Sequence, residues 1–260
     1  MDFNYQSDKK YDIKKYFIGY FDILGFENKV KINNKEDDLA LLTTIDEIII
    51  FSRKSISTLY KYDIKMKVFS DNFLFCSEEN YIPLILIIGM IQALFITNDL
   101  FIRGSLCYGD LYYDDEFIYG KGLINAYKLE SKLAIFPRII IDNSFFSGVT
   151  NITNKSIQEK ISSNNILSNL QDIYCNDFDN YRFIDYLTIM KNYKDKESID
   201  HPNETMSFFK FISDHAKYIK NNLLVEDTIE NRIIKQKYYW CKNYHNEFCK
   251  KNKYHELIIS

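Results

Sequence analysis

Asp22 is the single charge in an otherwise apolar run, Tyr16 to Phe26 (YFIGYFDILGF). A carboxylate in such a run is costly unless it is paired, hydrogen-bonded or bound to metal. Asp71 stands in a polar turn, Ser70-Asp71-Asn72, between the apolar runs Ile64 to Phe69 and Phe73 to Cys76. Aspartate is also an ordinary turn residue. If these runs are strands of one βαββ unit, the end of the first lies beside the turn between the second and third. The two carboxylates then converge at one end of a sheet, where hard oxygen donors suit Mg²⁺ or Mn²⁺ shared with substrate phosphates. Cations accompany them: Lys67, four residues before Asp71, then Arg103 and Lys128. Each also has a plainer reading. Arg103 pairs a carboxylate or caps an edge strand, Lys67 faces solvent from its strand, and Lys128 lies on a helix surface near Glu130.

Periodicity supplies the elements that must position these groups. Residues 1–15 are polar and expected to be loose. Tyr16 to Phe26 reads as a buried strand. Leu39 to Tyr62 has helical spacing behind Asp37 and Asp38, and acidic residues favour a helix N-terminus. Ile64 to Phe69 and Phe73 to Cys76 read as strands, Ile82 to Phe95 as a helix and Ile102 to Tyr113 as a strand. Gly120 to Ala134 then reads as a helix and Arg138 to Asp142 as a short strand. The order βαββαβ is the split-βαβ pattern of ferredoxin-like and palm domains, in the α/β (α+β) class. It predicts an antiparallel sheet with helices on one face. After Asn143, Ser144 to Asn169 reads as loop with a short helix, Phe178 to Leu187 as a compact aromatic segment, and Met206 to Lys251 as two helices. Tyr239, Trp240 and Tyr244 are expected in a core. The expected organisation is a flexible 1–15, a core over 16–143, and a mostly helical 144–260 packed on it.

With 46% hydrophobic residues among 260, a full core is expected. A net charge of -3 gives no electrostatic footprint for bulk nucleic acid, so no stable nucleic-acid partner is expected. Five cysteines, odd in number and without a CxxC pair, read as reduced thiols of a cytoplasmic protein. The first residues form no apolar signal region. Tyr81 to Ile96 is almost wholly apolar but shorter than the about 20 residues a membrane span needs. It also carries Gln92, so it reads as a buried core helix with no membrane partner. His201, His215, His245 and His255 lie outside the core without ligand spacing, and packing or surface roles are expected.

Four segments resemble, in register from Phe17 to Asp142, the motifs of class III nucleotide cyclases. FDILGF at Phe21 to Phe26 resembles their first metal motif. KVFSD at Lys67 to Asp71 is similar to their second, in which a base-contacting lysine precedes the aspartate by four positions. RGSLCYG at Arg103 to Gly109 resembles their R-x-G-x-x-x-G strand, and YGKGLINAYKLES at Tyr119 to Ser131 their G-x-x-V-N-x-A-x-R-L-E helix. The resemblance implies that the ribose 3′-hydroxyl of a nucleoside triphosphate attacks its own α-phosphorus and releases pyrophosphate. It implies two Mg²⁺ or Mn²⁺ ions held by Asp22, Asp71 and the main-chain carbonyl of Ile23. The backbone amides of Gly25 and Phe26 would meet phosphate oxygens, and Arg103 the outer phosphates. It implies a homodimer with composite sites, metals from one subunit and the stabilising helix from the other.

The departures from that pattern are informative. Ile124 stands where the transition-state asparagine belongs, with Asn125 one position late. Lys128 replaces the arginine that stabilises the transferring phosphate, and Phe117 occupies the place of a base-reading aspartate or threonine. This set looks more like the divergent cyclases of bacterial antiphage signalling, the Pycsar systems, whose cyclic UMP or cyclic CMP is read by a downstream effector. Phe117 neither donates nor accepts a hydrogen bond and narrows the pocket, so a pyrimidine is expected. UTP stands ahead of CTP because uracil offers two carbonyl acceptors to Lys67. The competing readings are a catalytically inactive nucleotide-binding palm that signals through its tail, and a palm-type oligonucleotide synthase. The latter is opposed by the absence of a GG[DE][DE]F signature. A purely structural interaction protein would leave Asp22 unexplained.

Overall fold

The computed structural model describes residues 10–32, 34–58, 62–156, 173–200, 208–224 and 228–260. The elements run β1 (Lys14–Ile23), α1 (Phe26–Ile32), α2 (Lys35–Thr58), β2 (Ile64–Phe69), β3 (Asn72–Ser77) and α3 (Tyr81–Thr97). They continue β4 (Ile102–Tyr113), β5 (Ile118–Tyr119), α4 (Lys121–Leu133), β6 (Ile139–Ile141) and α5 (Asn143–Ser156). Then come β7 (Tyr174–Asn176), β8 (Arg182–Ile184), α6 (Tyr186–Asp200), α7 (Phe208–Leu223) and α8 (Ile229–Lys251). The expected βαββαβ order is present, in an α/β fold. One sheet runs β2-β3-β1-β4-β6-β8-β7, with β5 folded back on β4.

Two expectations about the sheet are corrected. It is mixed, because β4 pairs parallel to β6 while its other pairings are antiparallel. Helices also cover both faces. Successive side chains of a strand point to opposite faces, and central β1 is apolar on both. Phe17 and Phe21 join Phe73 and Phe75 under Ile48 of α2, Leu84 and Ile88 of α3 and Phe145 of α5. On the other face Ile18, Leu74 and Cys107 pack under Ala126 of α4.

Boundaries shift where caps decide them. The side chain of Asn34 accepts the amides of Glu36 and Asp37 at 2.9 and 3.0 Å, so α2 starts before Leu39. Lys14 and Lys15 belong to β1 rather than to a loose start. α3 is apolar all round because it is buried all round, between the sheet and α6 and α7, as expected for a core helix. Among the described residues no helix is long and apolar enough to cross a membrane.

The two helices expected late in the chain are present as α7 and α8, while the stretch expected as loop with a short helix opens with the 14-residue α5. α5 opens immediately after β6, and β7 and β8 extend the sheet, with Ile140 opposite Phe183. Residues 157–169, His201 and Met206, on which the sequence reading also touched, lie outside the described residues. Arg138, only 1% exposed, ties the segments together through ion pairs to Asp177 and Asp179. The indole nitrogen of Trp240 donates to Asp177 Oδ2 at 2.6 Å. Trp240 and Tyr244 are buried as expected, four residues apart on α8. Tyr239 is exposed, because one residue of an α-helix turns the side chain by about 100°.

His215 and His245 form a buried chain with fixed proton positions. Leu257 O only accepts, so His245 Nε2, 2.9 Å away, carries hydrogen. Its neutral ring then accepts at Nδ1 from His215 Nδ1 at 2.9 Å, and His215 Nε2 accepts from the Tyr186 hydroxyl at 2.8 Å. A further proton would set two N–H groups against each other. Burial holds His215 well below the ordinary histidine range, and burial lowers His245 as well. Both are neutral in the fold and take up protons on unfolding below about pH 6.5. Their stability contribution is therefore complete above pH 6.5 and is lost as pH falls below it, at up to about 1.4 kcal/mol per pH unit for each. Urea unfolding at pH 6.5 and 5.5 should show a midpoint that falls with pH, and His215→Gln should flatten that fall. An unchanged pH profile in the variant refutes the assignment.

Candidate active site

Strand register builds the site. Asn72 of β3 lies opposite Asp22 of β1, and Asp22 opposite Arg103 of β4, so the three side chains share the face that α4 covers. α4 can lie directly on β4 because glycines meet there. A Cβ on Gly109 would come within 2.8 Å of Gly122 Cα. The stripe Gly122-Ala126-Glu130 then faces the sheet, and Glu130 arrives beside Arg103.

Arg103 is committed to the carboxylates. Its Nε donates to Asp22 Oδ1 at 3.1 Å and its Nη2 to Asp22 Oδ2 at 3.2 Å. The same Nη2 lies 3.0 Å from Glu130 Oε1, an ion pair without hydrogen-bond geometry. Glu130 is 3% exposed, and burial, followed by the charge of Asp22, pushes its carboxyl up to about 7. Arg103 opposes that shift. Asp71 stands in the β2–β3 turn after Ser70, whose φ is 56°. The Asn72 amide donates to Asp71 Oδ1 at 3.2 Å and accepts from the Tyr20 hydroxyl at 2.6 Å. The charge of Asp71 is felt at both Arg103 and Glu130. The expected pair of carboxylates is thus brought to one corner, together with a third acid and an arginine.

The neighbouring turn is open. Ile23 ends β1 with its side chain buried, and the amide of Leu24 donates to Phe101 O at 2.7 Å. Gly25 has φ 74°, a left-handed value that favours glycine, with nothing within 4 Å of where a Cβ would stand. Phe26 packs against the core and opens α1.

The remaining candidates sit elsewhere on this face. Lys67 donates to Asp115 O and lies 5.7 Å from the Tyr113 ring. That bond holds it against the β4–β5 hairpin, where Phe117 packs on Tyr112 at 5.3 Å. Lys67 and Phe117 are therefore brought into one region. Asn125 and Lys128 are not brought to Asp22 and Asp71 of the same chain. With Leu129, Lys132, Leu133 and Asp142 they line a separate groove of about 260 Å³.

Sequence reasoning missed Glu130 as a member of the site. Its signal was an acid on the otherwise small-residue stripe Gly122-Ala126-Glu130. It also missed Asn72, which bridges Tyr20 and Asp71.

Whether the corner fits divalent metal follows from its donors. Among the described residues no three His, Cys, Asp or Glu side chains form a ready metal cage. Mg²⁺, however, keeps waters and needs only one or two carboxylates plus phosphates. Asp22 and Asp71 fit that need in kind, with Arg103 as the competing cation on Asp22.

No protein-family model matches the chain, and no curated protein is matched. Solved structures similar to it include the monomeric guanylyl cyclase domain of the RhoGC fusion protein from the aquatic fungus Blastocladiella emersonii. That match has TM-score 0.44 and 13% identity over 55% of this chain and 90% of that one. A bacterial light-regulated adenylyl cyclase matches with TM-score 0.46 and 11% identity, over 89% of this chain and 59% of that one. A class III adenylyl cyclase-like ATP-binding protein from Pseudomonas aeruginosa matches with TM-score 0.42 and 10% identity, over 84% and 47%. At TM-scores below 0.5 these likenesses add nothing to what the sheet order and the carboxylate corner carry themselves.

Proposed function

We propose that the chain is a nucleotidyl cyclase of the class III type, converting a ribonucleoside triphosphate to a 3′,5′-cyclic mononucleotide and pyrophosphate. The observation that carries this reading is the register that sets Asp22 beside Asn72 and Asp71, next to the open turn at Gly25. The 3′-oxygen forms a bond to the α-phosphorus, the bond from that phosphorus to pyrophosphate breaks, and the hydroxyl proton leaves to solvent. Asp22, Asp71 and the carbonyl of Ile23 would hold two Mg²⁺ or Mn²⁺ ions, which supply an acidified hydroxyl and a neutralised triphosphate. The amides at Gly25 and Phe26 would orient phosphate oxygens. Lys67 and the Phe117 region would form the base pocket, favouring UTP, then CTP, as in the Pycsar antiphage systems with their separate effectors.

The same reading includes a homodimer with composite sites. Asn125 and Lys128 line a groove that does not include their own Asp22. Ile124 and Tyr127 on α4 are 53% and 54% exposed, and Phe69, on the Asp22 face of β2, is 82% exposed. Such a patch fits a second copy placing its α4 groove over this corner.

A second reading, an inactive nucleotide-binding palm, is favoured by one feature: both Asp22 oxygens are held by Arg103. Incubating the pure protein with ATP, GTP, CTP and UTP and Mn²⁺, then weighing the products, separates these. A cyclic mononucleotide from a pyrimidine is the expected result. A cyclic purine product overturns the base assignment alone, a linear or multi-nucleotide product points to an oligonucleotide synthase, and binding without turnover supports the inactive palm.

A further inference from the structure

Arg103 was expected at the outer phosphates, yet it serves two carboxylates that differ in their access to solvent. Its Nε and Nη2 donate to Asp22 Oδ1 and Oδ2 at 3.1 and 3.2 Å, so both Asp22 oxygens are taken. Its Nη2 also lies 3.0 Å from Glu130 Oε1 without hydrogen-bond geometry, and among the described residues that buried oxygen accepts no hydrogen bond. The Asp22 side chain is 18% exposed and that of Glu130 only 4%. An ion from solvent therefore reaches Asp22 more readily than Glu130.

Glu130 is fixed in its place by the docking of α4. Two residues beyond Arg103 on β4, the Ser105 hydroxyl donates at 2.9 Å to Ala126 O, one helical turn before Glu130. A buried acceptor that meets no donor is costly, so its retention beside an arginine needs a physical reason. Metal binding at Asp22 supplies one. The Asp22 oxygens turn to a divalent ion only by giving up both bonds from Arg103. A guanidinium left unpaired in that half-buried place would oppose the ion by like-charge repulsion. Glu130 removes that opposition. Its free oxygen is already at bonding distance from Nη2, so the guanidinium has only to reorient.

We propose that Glu130 is a positioning residue that receives the Arg103 guanidinium when Asp22 binds metal, so that the pair of Arg103 with Asp22 is an exchangeable latch and not a permanent block. This rests on the metal reading of Asp22, under which that pair must open.

The test is Mn²⁺ binding, read from the loss of the free-ion EPR signal at pH 8, where the Glu130 carboxyl, pushed up to about 7, is charged. The wild-type chain is compared with Glu130→Gln, Arg103→Met and the double variant, and Asp22→Asn identifies the ions held at the corner. Glu130→Gln keeps an oxygen for Nη2 but not the charge, and should weaken Mn²⁺ binding about 10-fold. Arg103→Met removes the competing cation and should tighten binding about 10-fold. The double variant should bind like Arg103→Met, because without the arginine Glu130 has nothing to receive. A glutamate that holds the ion itself, or attracts it only through its charge, would weaken binding by the same factor with or without Arg103. That result overturns the inference and spares the metal role of Asp22. Arg103→Met binding no tighter than wild type also overturns it, and this arm stands even if Glu130→Gln does not fold. If the wild-type chain holds no Mn²⁺ that Asp22→Asn loses, the metal reading of the corner falls and the inference falls with it.

Discussion

Asp22→Asn should lower turnover by on the order of 10³-fold or more while leaving the fold intact. The substitution keeps the shape, leaves one of the two oxygens that accept from Arg103, and removes the charge that would hold metal. Arg103 keeps a carboxylate, because Glu130 already lies 3.0 Å from its Nη2. With the Asp22 charge gone, Glu130 loses one of the groups that raise its pKa and ionises more readily beside the arginine. The variant should therefore unfold near the wild-type urea midpoint, which separates lost chemistry from lost structure. The composite-site arrangement adds a second arm. Lys128→Ala removes the cation of the other groove and should also be inactive alone. Mixing the two inactive chains should restore part of the activity, because one of the two corners in a mixed dimer then carries both an intact Asp22 and an intact Lys128. Full activity in Asp22→Asn refutes the metal role. Silence in mixtures that demonstrably exchange subunits refutes the shared site.

The second large effect is on stability. Arg138→Met should destabilise the chain by about 3–5 kcal/mol, because it strands the carboxylate of Asp177 in the interior. Asp177 is held by Arg138, by the Trp240 indole at 2.6 Å and by the amide of Phe178 at 2.8 Å, and only the last two, both neutral, would remain. The guanidinium also lies 5.3 Å from the Phe136 ring and 5.7 Å from Trp240, so stacking is lost with the charge. For a chain of this size the melting temperature should fall by about 10 °C. Adding Asp177→Asn to Arg138→Met should recover part of the loss, since a neutral amide costs less to bury unpaired. A single variant that melts with the wild type would show that the ion pair contributes no net stability. A double variant no better than the single would place the loss in packing instead.

The local order of the longer strands and helices was legible from residues 16 to 142, because each carries its own periodic signal, whereas the short α1 and β5 were not. Ile102 to Tyr113 is β4 to the residue, and the lone charge in Tyr16 to Phe26 marked Asp22 without any partner being known. The Ser70-Asp71-Asn72 turn was equally visible, since a polar triplet between apolar runs is a local feature. What spacing leaves open is pairing between distant strands. It did not disclose that β6 runs parallel to β4, that β7 and β8 lengthen the sheet, or that α4 covers the face opposite α2 and α3. Those follow from which apolar faces remain uncovered once the central strands are in place. The commitment of Arg103 to Asp22 and Glu130 was undecided for the same reason. In the sequence an arginine is a charge without a direction, and only the packing of α4 and β1 on either side of it decides which carboxylates it meets. Glu130 comes from an element far from Asp22 in the chain, so its place in the corner exists only once the tertiary structure has laid α4 against β4 beside the end of β1.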